Sequence, residues 1–381
     1  MTHFFHRTAL CLSSVLLVSY SQVSVAGDTP PAKDTTHEEA ANQLLTLTPP
    51  SVLDKALTPP SGDKHDFMSL AAYSWPNPRT PNGLPYIYQD GKTNPDKETY
   101  GDYRGLQKMG NAVRTLAQAY KKTHKEIYAQ KAAELLRVWF LDPRTDMNPN
   151  VRYGHAEPGL HEGTCGGIMD TMIFDTMVGA LTTLESSPSW TSSEKQQLRS
   201  WFRKFLTWIM ESELGRHESN MPNNHGTWYD VEVVAIALYL DDKTIAKATL
   251  EQSKEKRIAR MIEPDGSQPH ELTRTLSLHY TLYALNGFFR LAAQGDAAGV
   301  DLWNYESKDG RGIHKALDYV LPFLDGRKTW PYPQIKPVTR HDFLIAGSLL
   351  RDAAKAYNDP SYLNAAEKIQ SEANAMPVAE H

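Results

Sequence analysis

Four side chains of this 381-residue chain suit the handling of a carboxylate and the movement of a proton beside it: the amide Asn224, the imidazole His225, the guanidinium Arg274 and the phenol Tyr280. They stand in two stretches, Asn223-Asn224-His225-Gly226-Thr227-Trp228-Tyr229-Asp230 and Pro269-His270-Glu271-Leu272-Thr273-Arg274 running on through His279-Tyr280. Each residue alone is commoner as a satisfied structural group, but the combination fits β-elimination on a uronic acid. The C5 proton of a uronate is very weakly acidic, because losing it adds negative charge beside an existing carboxylate. An enzyme must neutralise that carboxylate, remove the proton and protonate the oxygen that leaves C4. Asn224 suits hydrogen bonding to the carboxylate, Arg274 a charge-assisted contact, and His225 either binding it or acting as base. Tyr280 suits proton transfer, since its reference pKa of about 10 can fall beside a cation. On a regular helix the six-residue step from Arg274 to Tyr280 is about 9 Å along the axis and roughly 120° around it. The two then border one cleft without sharing a stripe.

Other chemistries have less behind them. A pair of carboxylates for glycoside hydrolysis could come from Glu157, Glu162, Asp230, Glu263, Asp265 and Glu271, which fall near expected loop ends. Asp265 before Gly266 also reads as an ordinary turn former. His155, Glu157, His161 and Glu162 share the Gly-rich loop Tyr153 to Gly167, but without a His-Glu-x-x-His helix or a cysteine cluster no metal site is expected. There is no Gly-x-Ser-x-Gly, no phosphate-binding Gly-Lys-Ser/Thr and no dinucleotide fingerprint. No cofactor is called for.

The elements that must position these residues are helices. Hydrophobic residues make up 40% and charged residues 22% of the chain, a composition able to bury a core. Leu106 to Tyr120 and Ile127 to Trp139 have apolar positions at helical spacing, the second closed by Asp142-Pro143. Further helices are expected over Gly167 to Leu184, from the capping box Thr191-x-x-Glu194 through Ile209, and over Trp228 to Leu240. Lys243 to Ile262, Leu272 to Ala293, Ile313 to Leu324, His341 to Tyr357 and Pro360 to Ala373 continue the series, and Thr35-x-x-Glu38 opens a short one near the start. Ten to twelve helices in successive antiparallel pairs predict an all-α, (α/α) toroid or incomplete barrel in one domain, residues 27–381. No sheet is expected. Thr48 to Asp102 is instead rich in Pro, Gly, Asn and Asp, and a loop region of that length is usually functional. Within it Lys64 and His65, then Tyr73 and Trp75, form a candidate sugar-binding wall, because rings stack on a pyranose face while polar groups take its hydroxyls. His161, Trp228, Tyr229 and His270 are further candidate substrate contacts.

The first 26 residues read as a signal peptide. The apolar run from Ala9 to about Tyr20 is too short for a permanent span, and Ser24-Val25-Ala26 supplies small residues for cleavage near Ala26. The expected location is periplasmic or secreted, with no membrane partner for the mature chain. Cleavage removes Cys11, leaves Cys165 as the single cysteine, and removes Arg7, taking the formal charge from −5 to about −6. That balance argues against nucleic acid. It allows an anionic sugar polymer wherever a cleft is locally basic.

The chain resembles the alginate-lyase superfamily of helical-toroid polysaccharide lyases. The likeness spans roughly Pro59 to Leu324. It rests on Ser61-Gly62-Asp63-Lys64-His65-Asp66, Tyr73-Ser74-Trp75-Pro76, Asn94-Pro95, Trp139-Phe140, Met147-Asn148-Pro149, Asn223 to Asp230, Pro264-Asp265-Gly266-Ser267-Gln268-Pro269 and Asp301-Leu302-Trp303 taken jointly. The resemblance implies that Asn224 and Arg274 neutralise the uronate carboxylate, that Tyr280 is acid and also base, and that His225 is a carboxylate ligand or an alternative base. A single tyrosine serves both roles only when proton and oxygen leave from the same side; otherwise His225 is the base opposite it. The step of six from Arg274 to Tyr280, with Ser277 between, and Thr164-Cys165 in the Gly-rich loop depart from the polymannuronate-cleaving family five. They bring the chain nearer family thirty-eight, whose members act on glucuronan or alginate. The expectation is therefore a lyase acting on a β-1,4-linked polyuronate, glucuronan or mannuronate-rich alginate. The alternatives are a glycoside hydrolase on the same toroid and a non-catalytic uronate-binding protein.

Overall fold

The structure, a computed structural model, describes residues 35–376. The expected signal peptide and the segment that follows it to residue 34 lie outside the described residues. Helices run as α1 (Thr35–Leu44), α2 (Asp102–Thr123), α3 (Glu126–Phe140), α4 (Ile173–Leu184), α5 (Ser192–Glu211), α6 (Glu213–Ser219), α7 (Asn224–Tyr239), α8 (Lys243–Ser253), α9 (Ala259–Met261), α10 (Pro269–Leu272), α11 (Ser277–Ala298), α12 (Ile313–Leu324), α13 (Arg340–Ala356) and α14 (Ser361–Ala375). α2 packs on α3 and α4, α4 on α7, and α7 on α8 and α11. α11 in turn meets α12 and α13, and α13 pairs with α14. This is the expected all-α toroid of helix pairs, with α2, α4, α7 and α11 in series.

Local sequence explains the placement. The Thr191 and Glu194 side chains close the capping box that opens α5. Its Trp201, Phe202 and Phe205 meet Phe140 of α3 and Phe174 of α4 in an aromatic core, Phe140 and Trp201 lying edge to face at 4.6 Å between centroids. α7 carries Val231, Val233, Val234, Ala235, Ile236 and Ala237, apolar all round, and is buried along nearly its whole length. A helix of that kind belongs at the centre of a domain.

Three expectations need correction. The helix expected from Lys243 to Ile262 is interrupted by a π-helical turn at Lys254–Ile258 between α8 and α9. The helix expected from Leu272 to Ala293 is broken into α10 and α11 by an irregular connector at residues 273–276. Two small sheets are also present: β1 (Met68–Leu70) pairs in parallel with β4 (Tyr153–Ala156), and β2 (Ser74–Trp75) pairs antiparallel with β3 (Ile87–Tyr88). Strands of two to four residues are too short for an alternating pattern to show. They tie the Pro- and Gly-rich region from residue 48 to 102 down as an ordered wall against the helices.

Candidate active site

The N-terminus of α7 presents the first pair of residues. Asn223 caps the helix through its side chain, accepting the His225 N–H at 3.3 Å. About two turns along, Asp230 forms a buried fork with Arg257: Nε and Nη2 each lie 2.8 Å from a carboxylate oxygen. Arg257 also donates to the carbonyls of Ser219 (2.7 Å) and Met221 (3.2 Å), holding the chain that leads into the helix. A Cβ on Gly226 would stand 2.2 Å from the Met221 carbonyl and 2.4 Å from Arg257 Nη1, so only glycine admits this approach. Asp230 is thereby spent on structure. His225 is buried with Nδ1 2.5 Å from Glu218 Oε1, while its Nε2 has no partner. With its Nδ1–H donating to Glu218, Nε2 is a lone pair in the neutral ring and an N–H in the imidazolium.

The second pair comes from the break between α10 and α11. Arg274 lies in the connector and folds back so that its guanidinium carbon stands 3.6 Å from the centroid of the Tyr280 ring. This is far closer than a continuous helix allows. Asp90, just past β3, holds the connector open. Its Oδ1 takes Arg274 Nε at 3.1 Å and also Nη2, and its Oδ2 takes the Thr275 N–H (2.9 Å) and hydroxyl (2.8 Å). Arg274 Nη1 is buried and unpartnered. The Tyr280 hydroxyl, fully buried, lies 2.7 Å from that of Tyr73. Tyr88 packs edge to face on Tyr73 and donates to Asp90 at 2.9 Å.

The two pairs join at Glu271. Its carboxylate accepts the Asn224 backbone N–H at 2.7 Å and the Asn224 side-chain amide at 2.8 Å. Burial raises the Glu271 pKa, while the Asn224 bonds and the charges of Arg274 and His225 act against that rise. Those charges show how near both stretches come to this carboxyl. Asn224 Oδ1 is also buried without a partner. Three polar atoms around Glu271 thus lack a partner: the donor Arg274 Nη1, His225 Nε2 and the acceptor Asn224 Oδ1.

The electrostatics at the phenol run against the expected fall. Burial holds the Tyr280 hydroxyl well above the usual phenol value, Tyr73 adds to the rise, and the Arg274 cation only partly offsets it. The resting side chain is a neutral phenol, suited to donating a proton. Burial also works against charge on Asp90, but the Arg274 and Thr275 contacts win and hold it at about 2. Arg274 keeps its charge, its pKa raised against burial by Tyr280 and Asp90.

Of the expected substrate contacts, Tyr73 lies on the site and Trp75 is half-exposed on the same hairpin, its Nε1 bonded to the Lys92 carbonyl. His161 is exposed on a loop whose Gly159 packs against Leu84 and Pro85 of that hairpin. His270 is exposed on α10 beside Glu271. Lys64 and His65 are not brought to the pair: Lys64 bonds the Lys55 carbonyl, and His65 bonds the Asp146 carbonyl at 2.6 Å. Trp228 and Tyr229 are core residues, their donors met by the carbonyls of Tyr283 (3.2 Å) and Ile209 (3.0 Å), because α7 is buried on every face. Sequence reading singled out none of Asp90, Glu218 and Tyr88, and it took Glu271 for half of a possible hydrolytic pair. The Asp90-Gly91 turn was the only local signal for any of them. Among the described residues no three His, Cys, Asp or Glu side chains are grouped to hold a metal ion.

Comparison with known proteins bears directly on this arrangement. The family model described as alginate lyase matches residues 51–330. The crystal structure of an alginate lyase from Bacteroides ovatus superposes with a TM-score of 0.85 at 38% identity, over 90% of this chain and 90% of that one. Alginate lyase A1-III, in a histidine-to-alanine variant complexed with tetrasaccharide, gives a TM-score of 0.51 at 21% identity over 83% and 86% of the two chains, a likeness of fold. No curated protein matches the chain. The family model spans the hairpin, the start of α7 and the Arg274 to Tyr280 segment alike, and the chain belongs to the alginate lyase family.

Proposed function

We propose that the protein is an exported polysaccharide lyase cleaving a β-1,4-linked polyuronate, glucuronan or mannuronate-rich alginate, by β-elimination. Its family and the Bacteroides ovatus relative support a lyase acting on polyuronates. The observation that carries the residue assignment is the Arg274 guanidinium lying on the Tyr280 ring with Nη1 unbonded. Arg274 Nη1 and the second N–H of the Asn224 amide, whose first goes to Glu271, bind the substrate carboxylate, and His225 Nε2 binds it or serves as base. The C5 proton passes to the base, the C5–H electrons form the C4=C5 double bond, the C4–O bond breaks, and the leaving oxygen takes a proton from Tyr280. Where proton and oxygen leave from one face, the Tyr280 oxygen is also the base; its raised pKa then makes substrate-induced ionisation the demanding step.

The six-residue step from Arg274 to Tyr280 favours glucuronan or mannuronate-rich polymer in the manner of family thirty-eight over strict polymannuronate cleavage. Export after cleavage near Ala26 rests on the leader's composition. Incubating the protein with polyglucuronate, polymannuronate and polyguluronate while following near-ultraviolet absorbance tests the reading. The expected outcome is an unsaturated uronate product from one of the first two. New reducing ends without absorbance would instead indicate hydrolysis, a reading weakened by the commitment of Asp230 to Arg257 and of Glu271 to Asn224.

A further inference from the structure

The helix that carries Tyr280 has no cap of its own. α11 opens at Ser277, and the flanking residue, Leu276, offers no side-chain acceptor. The first amides of a helix have no partner within it and must find one elsewhere. Here they are met by a segment more than fifty residues downstream. The Pro333 carbonyl accepts the Ser277 N–H at 3.1 Å, and Gln334 Oε1 accepts the Leu278 N–H at 3.3 Å. The Ser277 hydroxyl donates to the same Pro333 carbonyl at 2.6 Å and accepts Trp330 Nε1 at 2.8 Å.

The same segment fastens the residues on either side. Leu276 and Gln334 face each other as an antiparallel bridge, and the Ile335 N–H donates to the Thr275 carbonyl at 2.9 Å. His279 Nδ1 lies 2.7 Å from Asp342 Oδ1. The other Asp342 oxygen closes the cap of α13, accepting the Thr339 N–H at 2.8 Å and hydroxyl at 2.7 Å. The His279 ring lies edge-on to Tyr280 and parallel to Tyr283. Every residue from Thr275 to His279 is therefore tied to residues 330–342. Arg274 and Tyr280 are the two residues that flank this tied run.

Residues beyond 330 lie outside the region that the family model matches. We propose that residues 330–342 form a strap that sets Tyr280 against Arg274, with Gln334 and Asp342 as positioning residues for the elimination. The inference rests on the assignment of Arg274 and Tyr280 as reacting groups. It adds that their register is imposed from outside the family region. A helix start capped in this way cannot slide or unwind by a residue without moving the Tyr280 hydroxyl off the substrate, and misplacement of a reacting group by about 1 Å can cost on the order of a hundred-fold in rate.

Steady-state kinetics on the full chain with the best polyuronate, alongside thermal melting, test the strap. Gln334→Ala removes the acceptor for the Leu278 N–H and is expected to lower kcat about ten-fold or more, with KM changed less than about two-fold. Gln334→Glu keeps an acceptor of the same reach and adds a charge suited to a helix start, so it should restore most of kcat. Asp342→Asn can still accept from Thr339 but turns an N–H toward His279, and it should lower kcat in the same pattern. Tyr280→Phe is the control for the underlying assignment. If it is inactive while Gln334→Ala and Asp342→Asn keep kcat and only melt earlier, the strap proposal is overturned and the assignment stands. Full activity in Tyr280→Phe overturns both.

Discussion

Glu271 accepts both the backbone N–H and the side-chain amide of Asn224, at 2.7 and 2.8 Å, and through this one carboxylate α10 is locked to the start of α7. The fork fixes which way the Asn224 amide faces, since its nitrogen is drawn to Glu271 and its oxygen is left unpaired. Glu271→Gln keeps the volume but has one acceptor for two donors, so the Asn224 amide must turn or lose a bond. The expected result is a fall in kcat/KM on the order of ten- to a hundred-fold, with a melting temperature within a few degrees of the wild type. Full activity would mean that the orientation of Asn224 does not matter to the reaction.

Tyr280→Phe separates binding from turnover. The hydroxyl meets Tyr73 and the ring carries the Arg274 contact, so the variant keeps the ring and loses only the proton donor and one buried bond. Turnover should be abolished, while oligouronate affinity by calorimetry changes by less than about ten-fold. Stability should fall by roughly 1 kcal/mol, the usual worth of such a bond. Tyr73→Phe leaves the Tyr280 hydroxyl in place and is expected to retain measurable activity.

Asp90 makes the stability of the hairpin depend on acid. Its folded pKa of about 2 lies below the ordinary 3.8, so the carboxylate stabilises the fold fully above about pH 4, and this is lost as pH falls toward 2. The shift corresponds to about 2 kcal/mol at most. Denaturant unfolding of wild type and Asp90→Asn should show the wild-type advantage near pH 5 shrinking steadily below pH 4. The same variant frees the Arg274 fork and should lower kcat even at neutral pH. An advantage that stayed constant with pH would remove Asp90 from this role.

The body of α7 was legible in the sequence from Trp228 onward, but its first turn, which carries Asn224 and His225, lay outside the expected helix. What stands opposite that turn was not legible either. The apolar positions from Leu272 to Ala293 run at helical spacing, with no Gly or Pro between Leu272 and Ser277 to announce the break. The connector opens because Asp90 and residues 333–335 pair with it across long stretches of chain. Glu218, Glu271 and Asp90 are partners chosen by tertiary contact, so beyond the Asp90-Gly91 turn local pattern carries no sign of them. Trp228 and Tyr229 sat in a polar motif and read as surface, but a helix buried on all faces takes its aromatic residues into the core. The height of the Tyr280 pKa is likewise a property of burial, invisible until the fold is known.

Glu232 gives the core a pH dependence of the opposite sign. It lies mid-way along α7, fully buried, with Thr171, Asp175 and Glu218 nearby. Burial pushes its pKa up to about 8, against an ordinary 4.5; a hydrogen bond with Thr171 offsets part of the rise and the two neighbouring carboxylates add to it. The folded chain then holds a proton that the unfolded chain has released, so stability falls as pH rises through the window from about 4.5 to about 8. The full shift corresponds to a few kcal/mol, on the order of a quarter to a half of the stability of a typical domain. Glu232→Gln matches the protonated side chain and cannot ionise, so it should equal the wild type near pH 4 and become progressively more stable than it up to about pH 8, with a constant margin above. Urea unfolding at pH 5, 7 and 9 measures that margin. Parallel curves for the two proteins would show that Glu232 does not titrate in this range.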